Sequence, residues 1–364
     1  HSRTLIKNAI LVNEGQQSIG SLVIDGDRIE EVLFGLDAKP QLPPDTVIDA
    51  EGCYLLPGVI DEHVHFRDPG LTAKGDFYTE SRAAAAGGVT TVIDMPNTVP
   101  PTVTKERLLQ KIEIAQQQSL VNFGFFLGAT PDNAARLREV NPRLVAGIKL
   151  FMGSSTGELQ VEDQPTLRTI FEQSRLPIMV HCEDTPMIVA NMKAYKKKYG
   201  QDPHVRYHPE IRPAEACVKS TQEAIALARE FNVKLHVAHI TTAAELDLFD
   251  PNDKQITAEA CLPHLIFASE DYERLGARIK CNPAVKYDTD RAAIRAALTD
   301  GRIRTIGTDH APHRISDKIG GAAKATSGMP FVQFSLVSML ELVDEGVLPI
   351  ERMVELMCHN PARV

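Results

Sequence analysis

The chain has 364 residues, 43% of them hydrophobic and 24% charged, with a net charge of −9 from 39 basic and 48 acidic residues. This length buries a large core without staples and suits one α/β barrel with an appendage. The acidic balance argues against non-specific nucleic-acid binding, and no apolar run reaches the roughly 18 residues of a membrane span, so neither a nucleic acid nor a membrane is an expected partner. The six cysteines, at 53, 182, 217, 261, 281 and 358, form no CxxC pair and have no regular spacing. They read as reduced thiols in a cytoplasmic protein. No signal-peptide pattern is found. The first residue is His1 rather than Met, which reads as a trimmed start.

Residues 1–57 read as a small β appendage. Strands are predicted at 4–12, 21–24, 28–32 and 46–49, with a hairpin turn at Asp25, Gly26 and Asp27. From residue 58 to 364 the texture becomes strand followed by helix. Eight short apolar runs are predicted as strands, at 59–65, 90–94, 122–128, 145–151, 177–181, 235–239, 255–259 and 304–308. Helices are predicted over 76–86, 105–118, 165–173, 213–230 and 291–298. Eight alternations predict a (β/α)8 barrel. A doubly wound sheet is the alternative, and no GxGxxG follows the first strand to support it.

In such a barrel, active-site residues sit at the C-terminal ends of the strands. His63 and His65 are two apart near the end of the first strand, so both side chains point to one face. Imidazole pairs of this kind hold divalent metals, although two histidines on a half-buried strand need no metal. The other strands sharpen the choice. His181 and His239 each close an apolar run, Asp309 follows Thr-Ile-Gly-Thr, and Lys149 lies inside the apolar run Ala-Gly-Ile-Lys-Leu-Phe. A buried lysine is costly unless neutralised or paired. Carbamylation by CO2 is one answer, since it turns the amine into a carboxylate that can bridge two ions. Four imidazoles, a carbamate on Lys149 and Asp309 suit two divalent metal ions, Zn2+ first; Mn2+, Fe2+ or Co2+ fit the same set. Such a pair hydrolyses amides, esters or phosphoesters, and the lack of a phosphate cradle weakens the last.

These residues resemble the ligand set of the amidohydrolase superfamily, and within it the cyclic-amide hydrolases: dihydroorotases, allantoinases and hydantoinases. The resemblance covers essentially the whole chain. It implies His63 and His65 as first-strand ligands, Lys149 as the carbamylated bridge, His181 and His239 as ligands of the second metal, and Asp309 as last-strand ligand and catalytic base. It also implies further strands beyond Val364 that would complete the appendage.

Flanking residues are similar to those of the dihydroorotase branch. They are Phe66-Arg67-Asp68-Pro69-Gly70, Met95-Pro96-Asn97-Thr98, and Gly307 through His313. Allantoinases tend to have Asn-Glu where Arg67-Asp68 stands. Some dihydroorotases replace the lysine with aspartate. Here the surroundings of Lys149 resemble the lysine-using branch, and the nearby acids Glu158 and Asp163 lie in an expected loop. Arg67 offers a charged fork to a substrate carboxylate, and Asn97 and His313 can donate to it. A local pair with Asp68 is the alternative for Arg67, and a structural role after a Pro turn is the alternative for His313. Asn282 sits where relatives contact the ring, or serves only as a turn residue before Pro283.

The resemblance therefore implies a dihydroorotase acting on L-dihydroorotate and N-carbamoyl-L-aspartate in pyrimidine synthesis, through a metal-activated hydroxide. The alternatives are an allantoinase, a hydantoinase or dihydropyrimidinase, or a noncatalytic scaffold subunit. The reading admits a homodimer. Residues 315–326 are Gly- and Lys-containing and suit a cover over the site.

Overall fold

The computed structural model describes residues 2–153 and 159–364. Glu158, with the loop assigned to 154–157, lies outside the described residues.

The chain begins with five short strands: β1 (Arg3–Asn13), β2 (Gln16–Asp25), β3 (Arg28–Phe34), β4 (Thr46–Asp49) and β5 (Tyr54–Leu55). They form one sheet in the order β3-β2-β1-β4, with β5 also paired to β1. The predicted hairpin is present. Asp25 pairs with Arg28 across the turn, and Gly26 takes a φ of 61°, which only glycine adopts freely. The second strand starts five residues earlier than its apolar run indicates, because its first half pairs with β1 while exposing polar side chains.

Eight parallel strands follow: β6 (Val59–Val64), β7 (Val89–Asp94), β8 (Asn122–Gly128), β9 (Gly147–Met152), β10 (Ile178–Cys182), β11 (Leu235–Val237), β12 (Ile256–Cys261) and β13 (Thr305–Gly307). Each pairs with its sequence neighbour, as βαβ crossovers dictate. The ring closes where Val64 bridges His310; His65 N donates to His310 O at 2.7 Å, and His310 N donates to His63 O at 3.2 Å. This is the predicted (β/α)8 barrel. Strands β9, β10 and β12 are buried at every position, so each reads as a continuous apolar run in which a polar residue stands out.

Helices cover the outside. Asp76 caps Phe77–Ala86 by accepting from Thr79 N at 2.7 Å, and Thr104 caps Lys105–Gln118 in the same way at 3.2 Å. Helices at Thr185–Tyr199 and Ser335–Asp344 were not anticipated. The first buries only Ile188, so its apolar face is too narrow to read by periodicity. The legible signals were its ends: Asp184 as cap, Pro186 in the first turn and Gly200 at the C-cap.

One buried ion pair sets the backbone beside the site. Lys111 Nζ lies 2.6 Å from Asp94 Oδ2 with both side chains at most 1% exposed, and it also donates to Met95 O at 2.8 Å. The other Asp94 oxygen accepts from Phe66 N at 2.8 Å, next to Arg67. Lys111→Met should cost about 3–5 kcal/mol, because it leaves a carboxylate buried alone. Urea unfolding checks this, and a loss under about 1 kcal/mol would remove the pair from the structural account.

Candidate metal centre and active site

The four predicted histidines and Asp309 meet at the C-terminal mouth of the barrel. Ring centroids are 5.7 Å apart for His63 and His65, 5.5 Å for His63 and His239, and 4.6 Å for His181 and His239. His63 Nε2 and His65 Nε2 converge on the same oxygen, Asp309 Oδ1, at 3.1 and 2.9 Å. Lys149 is 1% exposed, with its Nζ 5.3 Å from the centre of the Phe151 ring. Together with Arg67, Asn97 and Asn282 these residues line one cavity. His313 stands one step back: its Nε2 is 3.2 Å from Arg67 Nη2, and its Nδ1 accepts from Lys74 Nζ at 2.9 Å.

Three of these residues have left-handed backbone: φ is 67° at Arg67, 37° at His239 and 50° at Asp309. For non-glycine residues this conformation is strained, and it recurs at functional sites. It also explains why β11 ends at Val237 and β13 at Gly307, short of the predicted runs through 239 and 308. The chain turns sharply there, and the turn aims the side chain across the mouth.

A layer of partners not anticipated from sequence orients the imidazoles. Glu259, fully buried on β12, accepts from His63 Nδ1 at 2.8 Å and from His239 N at 3.0 Å. Glu183 Oε1 lies 2.8 Å from His181 Nε2 and accepts from Arg212 Nη1 at 2.6 Å. His65 Nδ1 is bonded to Asn97 Oδ1 at 2.7 Å. Such contacts fix which ring nitrogen is free for a metal and steady the ring. Glu259 had a readable signal, a lone acid in an apolar strand. Glu183 was hidden by its place two residues after a stronger candidate, His181. Other histidines near the site bond elsewhere: His236 Nε2 to Glu62 at 2.7 Å, His264 Nε2 to Pro283 O at 2.8 Å, and His310 Nε2 to Glu80 at 2.9 Å.

The field of the site favours a cation. Burial would lower His63, but Glu259 and Asp309 outweigh it and hold the imidazolium up to about 9. Burial would raise Asp309, but His63 and His65 keep it well below the usual carboxylate range. Burial lowers His181 and, together with His181, pushes His239 well down, so both rings are neutral donors at pH 7. Burial likewise pushes the Lys149 amine down, against the pull of Glu259 and Asp309. His239 Nδ1 is buried and has no hydrogen-bond partner among the described residues. The ligand atoms of His63, His65 and Asp309 lie within 4.8 Å of one another, and with the neutral imidazoles of His181 and His239 beside them they are a set that divalent metals take. A metal at His63 would displace its proton.

The barrel with this mouth defines a metal-dependent hydrolase of the amidohydrolase type. The sequence model of the amidohydrolase family matches residues 54–364, and the chain belongs to that family. Among its relatives, a dihydroorotase of Methanosarcina mazei is 34% identical over 370 residues, covering 98% of this chain and 79% of that protein. An allantoinase of Deinococcus radiodurans is 31% identical over 373 residues, covering 99% of this chain and 80% of that protein. Among solved structures, the L-hydantoinase (dihydropyrimidinase) of Arthrobacter aurescens superposes with a TM-score of 0.92 at 29% identity, covering 99% of this chain and 81% of that one. Among the described residues, no helix is long and apolar enough to cross a membrane.

Proposed function

We propose that this protein is a dihydroorotase, interconverting L-dihydroorotate and N-carbamoyl-L-aspartate. The observation that carries the choice is Arg67. Its guanidinium is buried at 6% exposure in the cavity wall, and among the described residues no carboxylate pairs with it. Asp68, the local alternative, instead accepts from Phe77 N at 3.4 Å. Arg67 Nε donates to Pro312 O at 3.1 Å, which leaves the outer fork for a ligand. A desolvated guanidinium facing a cavity calls for an anion, and dihydroorotate carries a carboxylate. A neutral cyclic ureide such as allantoin or dihydrouracil would offer that fork no charged acceptor.

When bound, two divalent ions, Zn2+ in this reading, supply a hydroxide nucleophile at neutral pH and a Lewis acid for the ring carbonyl. His63, His65, His181 and His239 would hold them, with Asp309 and the Lys149 carbamate as oxygen ligands. Asp309, ionised in the resting protein, accepts the proton released at attack and passes it to the leaving ring nitrogen. In ring closure the same carboxylate works in reverse. Arg67, Asn97 and Asn282 orient the substrate, and His313, whose Nε2–H donates to Ser327 O at 2.9 Å, lies behind Arg67.

Arg67→Met should lower kcat/KM on dihydroorotate at least about tenfold, since a charged hydrogen bond in a closed site is worth roughly 1.5–3 kcal/mol. Metal content should stay as in the wild type. Arg67→Lys should rescue only in part, because it keeps the charge and loses the planar fork. The assay runs dihydroorotate beside allantoin and dihydrouracil. Intact dihydroorotate kinetics with a lowered Tm would make Arg67 a structural residue and remove the support for this substrate.

A further inference from the structure

Beside the metal centre lies a second, larger cleft of about 920 Å³. The two adjoin: Asn282 and Ser327 line both. Its walls carry Lys193, Lys196, Lys197, Arg212, Lys280 and Lys324, and among the described residues no carboxylate lines it. In a chain of net charge −9 this is a marked local reversal. Volumes of roughly 300–1,000 Å³ hold whole small molecules.

The clustering is not explained by packing or by helix chemistry alone. Lys193, Lys196 and Lys197 lie on one face of the helix Thr185–Tyr199, at spacings of three and four, where like charges repel. A helix C-terminus favours cations in its last turn, which accounts for Lys196 and Lys197. It does not account for Lys280 and Lys324 on other segments, facing the same space. Among the described residues none of the five lysines forms an ion pair with a carboxylate. Lys280 is 5% exposed and donates to a backbone carbonyl, that of Ala325. The neighbouring acids are engaged elsewhere. Asp202 accepts from the backbone N–H groups of Gly321, Ala323 and Lys324 at 2.8, 3.0 and 3.0 Å, and Glu183 is buried behind Arg212.

We infer that this cleft is an anion-binding antechamber that holds a small di- or polyanion, through carboxylate or phosphate oxygens, at the entrance to the metal centre. Two sources supply such a ligand: the dicarboxylate substrate on its way in, or a separate small anion that occupies the cleft in its own right. The first rests on the substrate reading above; the anion site itself does not. A cleft lined by one sign of charge raises the local concentration of the opposite sign, and this effect falls as salt rises.

The test compares the full chain with the triple variant Lys193→Ala, Lys196→Ala, Lys197→Ala. These side chains lie outside the metal centre and the Arg67 contact. Calorimetric titration with sulfate and with succinate, both weak metal chelators, reads the site without any turnover. Binding to the wild type should be salt-dependent and should weaken at least about fivefold in the variant. The matching triple change to arginine should restore it. Kinetics then tell the sources apart. For a substrate in transit, kcat/KM on N-carbamoyl-L-aspartate at low salt should drop at least about threefold in the alanine variant, with kcat and metal content unchanged and a flatter salt dependence. For a separate anion, kinetics stay as in the wild type while sulfate and succinate binding is lost. Unchanged sulfate and succinate affinity in the alanine variant overturns the proposal. If N-carbamoyl-L-aspartate is not turned over at all, the substrate reading fails and the titration still decides the anion site.

Discussion

His239→Ala should yield a folded barrel that has lost most of its second metal and at least about a thousandfold in activity, roughly 4 kcal/mol of barrier. The loss should be specific to the site. The ring sits at the mouth, 4.6 Å from the His181 ring, and among the described residues its Nδ1 has no hydrogen-bond partner that its removal would strand. The one structural cost is backbone strain, since alanine tolerates a φ of 37° poorly. His239→Asn settles that point, because asparagine accepts left-handed backbone more readily. Both variants should show wild-type far-UV circular dichroism and reduced metal by elemental analysis. A fully active His239→Asn protein with two metals per chain would sink the ligand assignment.

The second large effect concerns Lys149. Lys149→Ala should reduce activity to background, and added acetate or propionate with metal should restore part of it. Burial pushes the amine below its ordinary range, which favours the neutral nitrogen that reacts with CO2. The nitrogen lone pair attacks the carbon, an N–C bond forms, and one N–H proton leaves to solvent, giving an anionic carbamate. Alanine opens a small void in the strand wall, and a short carboxylic acid can place its oxygens there. Lys149→Met fills the void without a charge, so it should be inactive and resist rescue. Labelled bicarbonate should give a carbamate carbon signal in the metal-loaded wild type. Metal and CO2 should be taken up together, because each completes the other's site. An active Lys149→Met protein, or an unmodified ammonium beside bound metal, would refute the bridge.

The strands and their polar ends were legible for one physical reason. Strands buried on both faces read as unbroken apolar runs, so Lys149 or His181 inside one is conspicuous. Side chains whose meaning depends on a distant partner were not legible. Glu259 stood out as a lone acid in an apolar strand, but the role it plays comes from His63, 196 residues away. Local pattern carries no trace of such pairs. The helix Thr185–Tyr199 escaped for the opposite reason: its exposed lysines broke the apolar period that marks a packed helix, and those lysines now line the basic cleft. The positive φ values at Arg67, His239 and Asp309 were also beyond sequence reading, since none of the three is a glycine.

The closure of the ring bears on how the molecule is made. His65 and Asp309 touch the same point yet stand 244 residues apart, and they meet only where the first barrel strand zips to the last. A contact of such long sequence separation forms late, because the loop-closure entropy must be met before the contact gives anything back. On a ribosome His63 and His65 emerge early and wait for the eighth strand. A partly synthesised or partly refolded chain therefore presents histidines without the carboxylate that completes them. Under the proposed ligand set, stable metal uptake should mark the moment the barrel is whole, and metal retention by elemental analysis should report complete folding.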